Sequence, residues 1–166
     1  MELLWNRKGQ TESPEEFWRH TGEKRGGEVG FVTFATFLGQ SADRVLGFPG
    51  LLYTVGETVW FEDFEKDNWL ARIIGGRQKY EKTELSFPVS DALFTRVVSR
   101  RSAYRCIGGS LNPSELPPLS PFVRLFTTSV VQVGLKGGPS LFLEIMRQKE
   151  FLDLLAGKQP SKGGKE

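Results

Sequence analysis

The chain has 166 residues, a formal net charge of +2, 39% hydrophobic residues and 25% charged residues. That balance fits one ordinary globular domain, burying roughly two-thirds of its unfolded-chain surface, and argues against a disordered or membrane-spanning chain. The charge is too small for a general polyanion partner and no nucleic-acid-binding module is recognisable, so nucleic acid is not expected as a ligand.

Phenylalanine is over-used, with 13 Phe beside 4 Trp and 3 Tyr, which points to a core built on sheet. The single cysteine, Cys106, rules out an internal disulfide and a cysteine-rich metal site. The opening MELLWNRKGQ has only a short apolar-leaning run before its charges, so no signal peptide is read there. No run of about eighteen apolar residues occurs. A cytoplasmic location is the resulting expectation.

Ser13-Pro14-Glu15-Glu16 carries the signature of a helix start: a capping serine, proline at the first helical position and a glutamate that closes a capping box. A short helix over Pro14–Thr21 is predicted, ended by Gly22. Phe31 to Leu38 alternates with apolar residues on both parities, as in a strand covered on both faces. Gly26, Gly27 and Gly30 do not form a phosphate loop, because no Lys-Ser/Thr follows and the next element reads as strand.

Gly39 to Pro49 reads as a loop or short strand, and GLLYTVGETVWFEDF (Gly50–Phe64) reads as strand, tight turn, strand. By simple alternation Leu51, Tyr53, Val55, Val59 and Phe61 share the inward parity, leaving Trp60 and Phe64 to face outward as a candidate interaction surface. A strand is predicted at Trp69–Ile74, broken by Gly75-Gly76, and an edge strand within Tyr80–Phe87. Ser99-Arg100-Arg101-Ser102 is predicted to be a hairpin turn between strands Phe94–Val98 and Ala103–Ile107, with Cys106 a buried thiol in the second.

Gly108 to Pro121, rich in Gly, Ser and Pro, is a long loop. Phe122 to Lys136 reads as a long strand, turned back by Gly137-Gly138-Pro139-Ser140. The alternation of Leu141, Leu143 and Ile145 favours a strand followed by a helix over a single helix from Pro139 to Ala156. Phe151, Leu152, Leu154 and Leu155 make that helix amphipathic, and Gly157 ends it. The polar, glycine-rich tail from Lys158 is expected to be disordered.

Three segments resemble the pleckstrin-homology-like superfold with its GRAM and bacterial relatives. Gly50–Phe64 is similar to its Gly-x-Leu-Tyr hairpin, and Leu85–Val97 to its Pro-apolar-Ser-Asp corner. Val130–Leu155 is similar to its closing hairpin and helix. The resemblance implies an α+β domain: a bent antiparallel sheet forming an open barrel, capped by a C-terminal amphipathic helix, here preceded by a short N-terminal helix. The division that follows is a helical extension over 1–28, the barrel domain over 29–157 and a tail over 158–166. The Lys-x-Lys/Arg-x-Arg element of phosphoinositide-binding members has no counterpart in the first hairpin, so the resemblance assigns lipid recognition to no residue.

No catalytic constellation is read. His20, the only histidine, lies in the predicted first helix beside Trp18 and Arg19, where it reads as a surface residue. No His/Cys/Asp cluster has metal-ligand spacing, and no cofactor is expected. The strongest hint is charge. Arg96, Arg100, Arg101 and Arg105, with Arg72, Arg77 and Lys79 from the preceding strands, form a candidate basic patch for a lipid head group or an acidic peptide. The leading expectation is a non-catalytic binding or scaffolding domain acting through protein contacts. An anionic head-group-binding module and a barrel holding a small apolar ligand are the alternatives, and outward Trp60 and Phe64 leave homo-oligomerisation open.

Overall fold

The computed structural model describes residues 4–5, 11–64, 83–124 and 127–158. Two short strands, β1 (Leu4–Trp5) and β2 (Thr11–Glu12), pair with each other ahead of helix α1 (Pro14–Arg25). The main sheet holds β3 (Val29–Gln40), β4 (Phe48–Val55), β5 (Thr58–Asp63), β6 (Glu84–Pro88), β7 (Ala92–Ser99), β8 (Ser129–Leu135) and β9 (Ser140–Ile145). Helices α2 (Arg100–Ile107) and α3 (Pro121–Arg124) lie between β7 and β8, and α4 (Gln148–Lys158) follows β9.

The seven strands run antiparallel in the order β6-β5-β4-β3-β9-β8-β7 and curl into a half-barrel. Two meanders, β3 to β6 and β7 to β9, are thus joined where β3 pairs with β9. The two edge strands, β6 and β7, are consecutive in the chain and are linked only by a 3-10 turn at Val89–Asp91. One cluster of buried residues joins Phe87 on β6 to Ala92 on β7, so the inner face is continuous across the curl. Phe151 and Leu155 of α4, both 0% exposed, fill that inner face. The α+β class, the bent sheet, the strand-then-helix ending and the N-terminal helix all stand as the sequence predicts.

The parity expected for the central hairpin is corrected. Val55 pairs with Thr58 across a two-residue turn of Gly56 and Glu57, so every cross-strand pair joins an odd to an even position. Leu52 therefore faces inward with Val59 and Phe61, while Tyr53 shares the outer face with Trp60 and Leu51 with Glu62. Alternation holds within each arm and inverts through the turn.

Two helices correct the expected boundaries. α1 runs one turn past Gly22, because that glycine sits inside the helix against a carbonyl: a Cβ there would lie 2.5 Å from the Gly27 oxygen. Gly26 ends the helix instead, at φ 80° in the left-handed region that glycine enters freely. The Ser99–Ser102 stretch is not a hairpin turn. Ser99 accepts from the Ser102 N–H at 3.1 Å and caps α2, which carries Ala103, Cys106 and Ile107 onto the outer face against Leu38, Val130 and Phe142. Cys106 is buried as expected, but in a helix.

The long connection after α2 is held rather than loose. Gln132, 0% exposed, donates its amide to the Pro113 carbonyl at 2.8 Å, and Leu116 packs into the α2 cluster. The strand expected from Phe122 begins only at Ser129, since Pro121 opens the short α3. The predicted strand at Trp69–Ile74 lies outside the described residues, as does the tail beyond Lys158.

At Gly50 the sheet leaves no room for a side chain. A Cβ there would lie 2.2 Å from the Glu62 carbonyl oxygen and 2.8 Å from the Phe61 ring. Backbone cannot swing aside as a side chain can, so Gly50→Ala is expected to destabilise the domain by about 1–3 kcal/mol, read as a lower urea midpoint at unchanged m-value.

Candidate functional site

The outer face of the sheet carries two separate covers with a stretch of bare sheet between them. The first cover is α1. Its last turn brings Arg25 over the Trp60 ring, with the guanidinium carbon 3.8 Å from the ring centre. The same guanidinium meets Glu62 at 2.7 Å and Glu84 at 2.8 Å, and Glu62 also accepts from the Tyr53 hydroxyl. Trp18 stands edge-on to Tyr53 at 5.6 Å. The Arg25 side chain is 11% exposed.

These groups hold one another's protons. The hydrogen bond to Glu84, then that to Glu62, keeps Arg25 above its usual value in spite of its burial. Burial, then the Glu62 carboxylate, pushes the Tyr53 phenol up. Every member faces another member of the network, so its chemistry is spent on fastening α1 to β5 and β6. An open cleft of about 610 Å³ lies beside it, lined by Trp18, Arg19, Gly22, Glu23 and Gly27 among others. On its rim Arg19 pairs with Glu23 at 3.1 Å.

The second cover is α2 with the loop that follows. The arginines of β7 and α2 do not converge on one surface. Arg96 donates to the Ser114 and Leu116 carbonyls and pins the loop. Arg100 reaches across to Glu144 on β9 at 2.8 Å and lies over the Tyr104 ring. Arg101 and Arg105 are exposed on α2, and Arg72, Arg77 and Lys79 lie outside the described residues. Two arginines in the first turn of a helix oppose its dipole, at a cost of about 0.3–1 kcal/mol each.

Between the covers lies a trough of about 380 Å³, lined by Phe34, Thr36, Pro49, Phe64, Glu144 and Met146 among others. Its position follows from β3. Val32 pairs with Tyr53 beneath α1, Leu38 packs beneath α2, and Phe34 and Thr36 share their face in between. Phe34 is 54% exposed, Phe64 41% and Met146 77%, and the two rings stand 5.9 Å apart. Thr128 and Ser129 line the same trough, and the Thr128 carbonyl accepts from the Arg100 N–H at the start of α2.

Of the candidate surface residues, Phe64 thus lies in the trough, whereas Trp60 is half-buried beneath Arg25. Phe34, Glu144 and Met146 were not singled out from the sequence. For Phe34 the signal was the doubled alternation of Phe31 to Leu38, which shows an apolar outer face without showing which part of it stays uncovered. His20 is exposed on α1. Among the described residues no group of three or more His, Cys, Asp or Glu is arranged to hold a metal ion. No helix among them is long and apolar enough to cross a membrane. Comparison with protein-family models, with curated proteins and with solved structures finds no match.

Removing the Arg25 guanidinium takes the facing cation from Glu62, 17% exposed, and from Glu84, 35% exposed. Arg25→Met is expected to lower stability by about 3 kcal/mol, with red-shifted tryptophan emission as α1 loosens over Trp60. Arg25→Lys recovers only part, because an ammonium lacks the planar fork and the stacking face. The raised Tyr53 value means the folded chain keeps this proton longer than the unfolded chain. Its contribution is complete below the ordinary phenol value of about 10 and is lost as pH rises through the folded value. Tyrosinate absorbance should show one phenol ionising only together with alkaline unfolding, a step that Tyr53→Phe removes.

Proposed function

We propose that this chain is a non-catalytic binding domain of the pleckstrin-homology-like type that works through protein contacts, with the outer-face trough as its contact surface. The observation that carries this is the exposure of Phe34, Phe64 and Met146 side by side on a sheet whose remaining described apolar positions are largely covered. Burying a phenylalanine is worth about 1.5–3 kcal/mol, so leaving two beside a methionine in water is a standing cost that a partner would relieve. The bent half-barrel and the C-terminal helix are the two features the family resemblance implies.

A barrel holding a small apolar ligand is not carried forward, since Phe151 and Leu155 occupy the inner face where such a ligand would sit. A second reading rests on α2, whose Arg100, Arg101 and Arg105 are accompanied by no acidic residue in the helix. That composition suits an anionic head group.

A photo-crosslinking aromatic at position 34 should yield a discrete protein adduct in the native host, while the same group at exposed Lys136 should not. Equal labelling at both positions, or none at either, would remove the protein-contact reading. Salt-sensitive co-sedimentation with phosphatidylserine vesicles, lost in Arg100→Glu/Arg101→Glu, would put the head-group reading in its place.

A further inference from the structure

We propose that α1 is a releasable cover: it opens as a unit about Gly26 and Gly27 while the main sheet stays folded, and its release bares Tyr53 and Trp60. This goes beyond the protein-contact reading, since α1 opens or stays shut whether or not the trough has a partner.

The first observation is how little apolar burial fastens the helix. Gly22 is its buried residue, and Phe17 and Trp18 are half-buried. The open cleft of about 610 Å³ runs beside it, along Gly26 to Val29. α4, by contrast, sets Phe151 and Leu155 wholly inside the inner cluster. The second observation is the polar fastening. Arg25 in the last turn meets Glu62 and Glu84, whose side chains stay 17% and 35% exposed. Water therefore reaches both carboxylates and competes for them.

The third observation is the joint and what lies ahead of it. Gly26, at φ 80°, leads straight into Gly27, and glycine backbone turns at little steric cost. Ahead of α1, β1 and β2 pair with each other in a separate two-stranded sheet. Among the described residues, no ladder of the main sheet holds the chain before the helix.

Opening changes the outer face. Val32 and Phe34 follow each other along the outer side of β3, and Val32 pairs with Tyr53 beneath α1. Tyr53 is 1% exposed with the helix in place, where Trp18 stands edge-on to it. Release carries the uncovered face from the trough to Tyr53 and Trp60, so α1 sets how much apolar sheet is open to contact.

The test is native-state hydrogen exchange on the full chain. A twelve-residue helix is marginal alone in water, so a released α1 loses its amide protection. Amides from Thr21 to Arg25 should exchange together, at least about a hundredfold faster than those of β3 and β9. Two variants shift the joint and the fastening separately. A Cβ at Gly22 would lie 2.5 Å from the Gly27 oxygen while the chain folds back after the helix, so Gly22→Ala forces the joint. Glu84→Gln weakens the hold on Arg25. Each should speed α1 exchange about tenfold or more and leave β3 and β9 unchanged. Hydroxyl-radical labelling of Tyr53 should rise with it, and that of Phe151 should not. Exchange of α1 at the rate of the sheet in the parent chain overturns the inference. So does a rise shared equally by α1, β3 and β9 in both variants, or protection that grades smoothly from Phe17 to Arg25 as in simple fraying. Each of these results leaves the protein-contact reading standing, because no residue of α1 lines the trough.

Discussion

Both faces of one curled sheet are apolar here, and water must be kept from both. The central strand β3 sets this requirement: Ala35 and Phe37 face the inner cluster while Leu38 packs in the outer one. β3 also pairs with β4 on one side and β9 on the other, so it is the seam between the two meanders. An antiparallel sheet more commonly leaves one face to solvent. With neither face polar, the chain needs helices on both sides, and the remaining architecture is the means of supplying them.

The covers are attached by different physics. α4 contributes Phe151 and Leu155 to the inner cluster, and α2 contributes Ala103, Cys106 and Ile107 to the outer one; both are held by non-directional burial. α1 has Gly22 as its buried residue and is held mainly by contacts that need geometry: a guanidinium stacked on Trp60, two carboxylates and the Tyr53 hydroxyl. Attachment by burial tolerates substitutions of similar volume. Attachment through a partly buried ion pair fails when one partner is lost, because the other charge is left unanswered. The N-terminal helix is therefore the cover most sensitive to single changes. Arg147 works similarly near the start of β3, donating to the Val32 carbonyl and, through its backbone N–H, to the Thr33 hydroxyl while its guanidinium lies over Phe31, which ties the start of α4 to the seam.

What could be read from the residues alone followed the range of the interaction. The capping box at Ser13 and Glu16 acts over three positions, and the structure forms it as the sequence predicts. The ending as strand then helix was legible for the same reason. α2 was misread because Ser-Arg-Arg-Ser looks like a turn, and two arginines are poor first-turn residues. The spacing of Ala103, Cys106 and Ile107 at i, i+3 and i+4 was the signal that finds it. The hairpin parity was misread because a two-residue turn inverts odd and even, a matter of register rather than composition. Nothing local links Arg25 to Glu62, 37 positions away, so the clamp on α1 was not legible at all.

The trough is the uncovered remainder of this arrangement. Its position belongs to neither cover and is set by the distance along β3 between Val32 and Leu38. Phe34 and Met146 are exposed and the buried clusters form without them, so their identity is free of the packing constraint that governs Ala35 and Ile145 one position away. A position free to be polar is ordinarily polar on a solvated strand, and Thr36 on the same face is. Apolar residues at positions 34, 64 and 146, drawn from three separate parts of the chain and brought together only by folding, mark the part of the outer face that stability does not require.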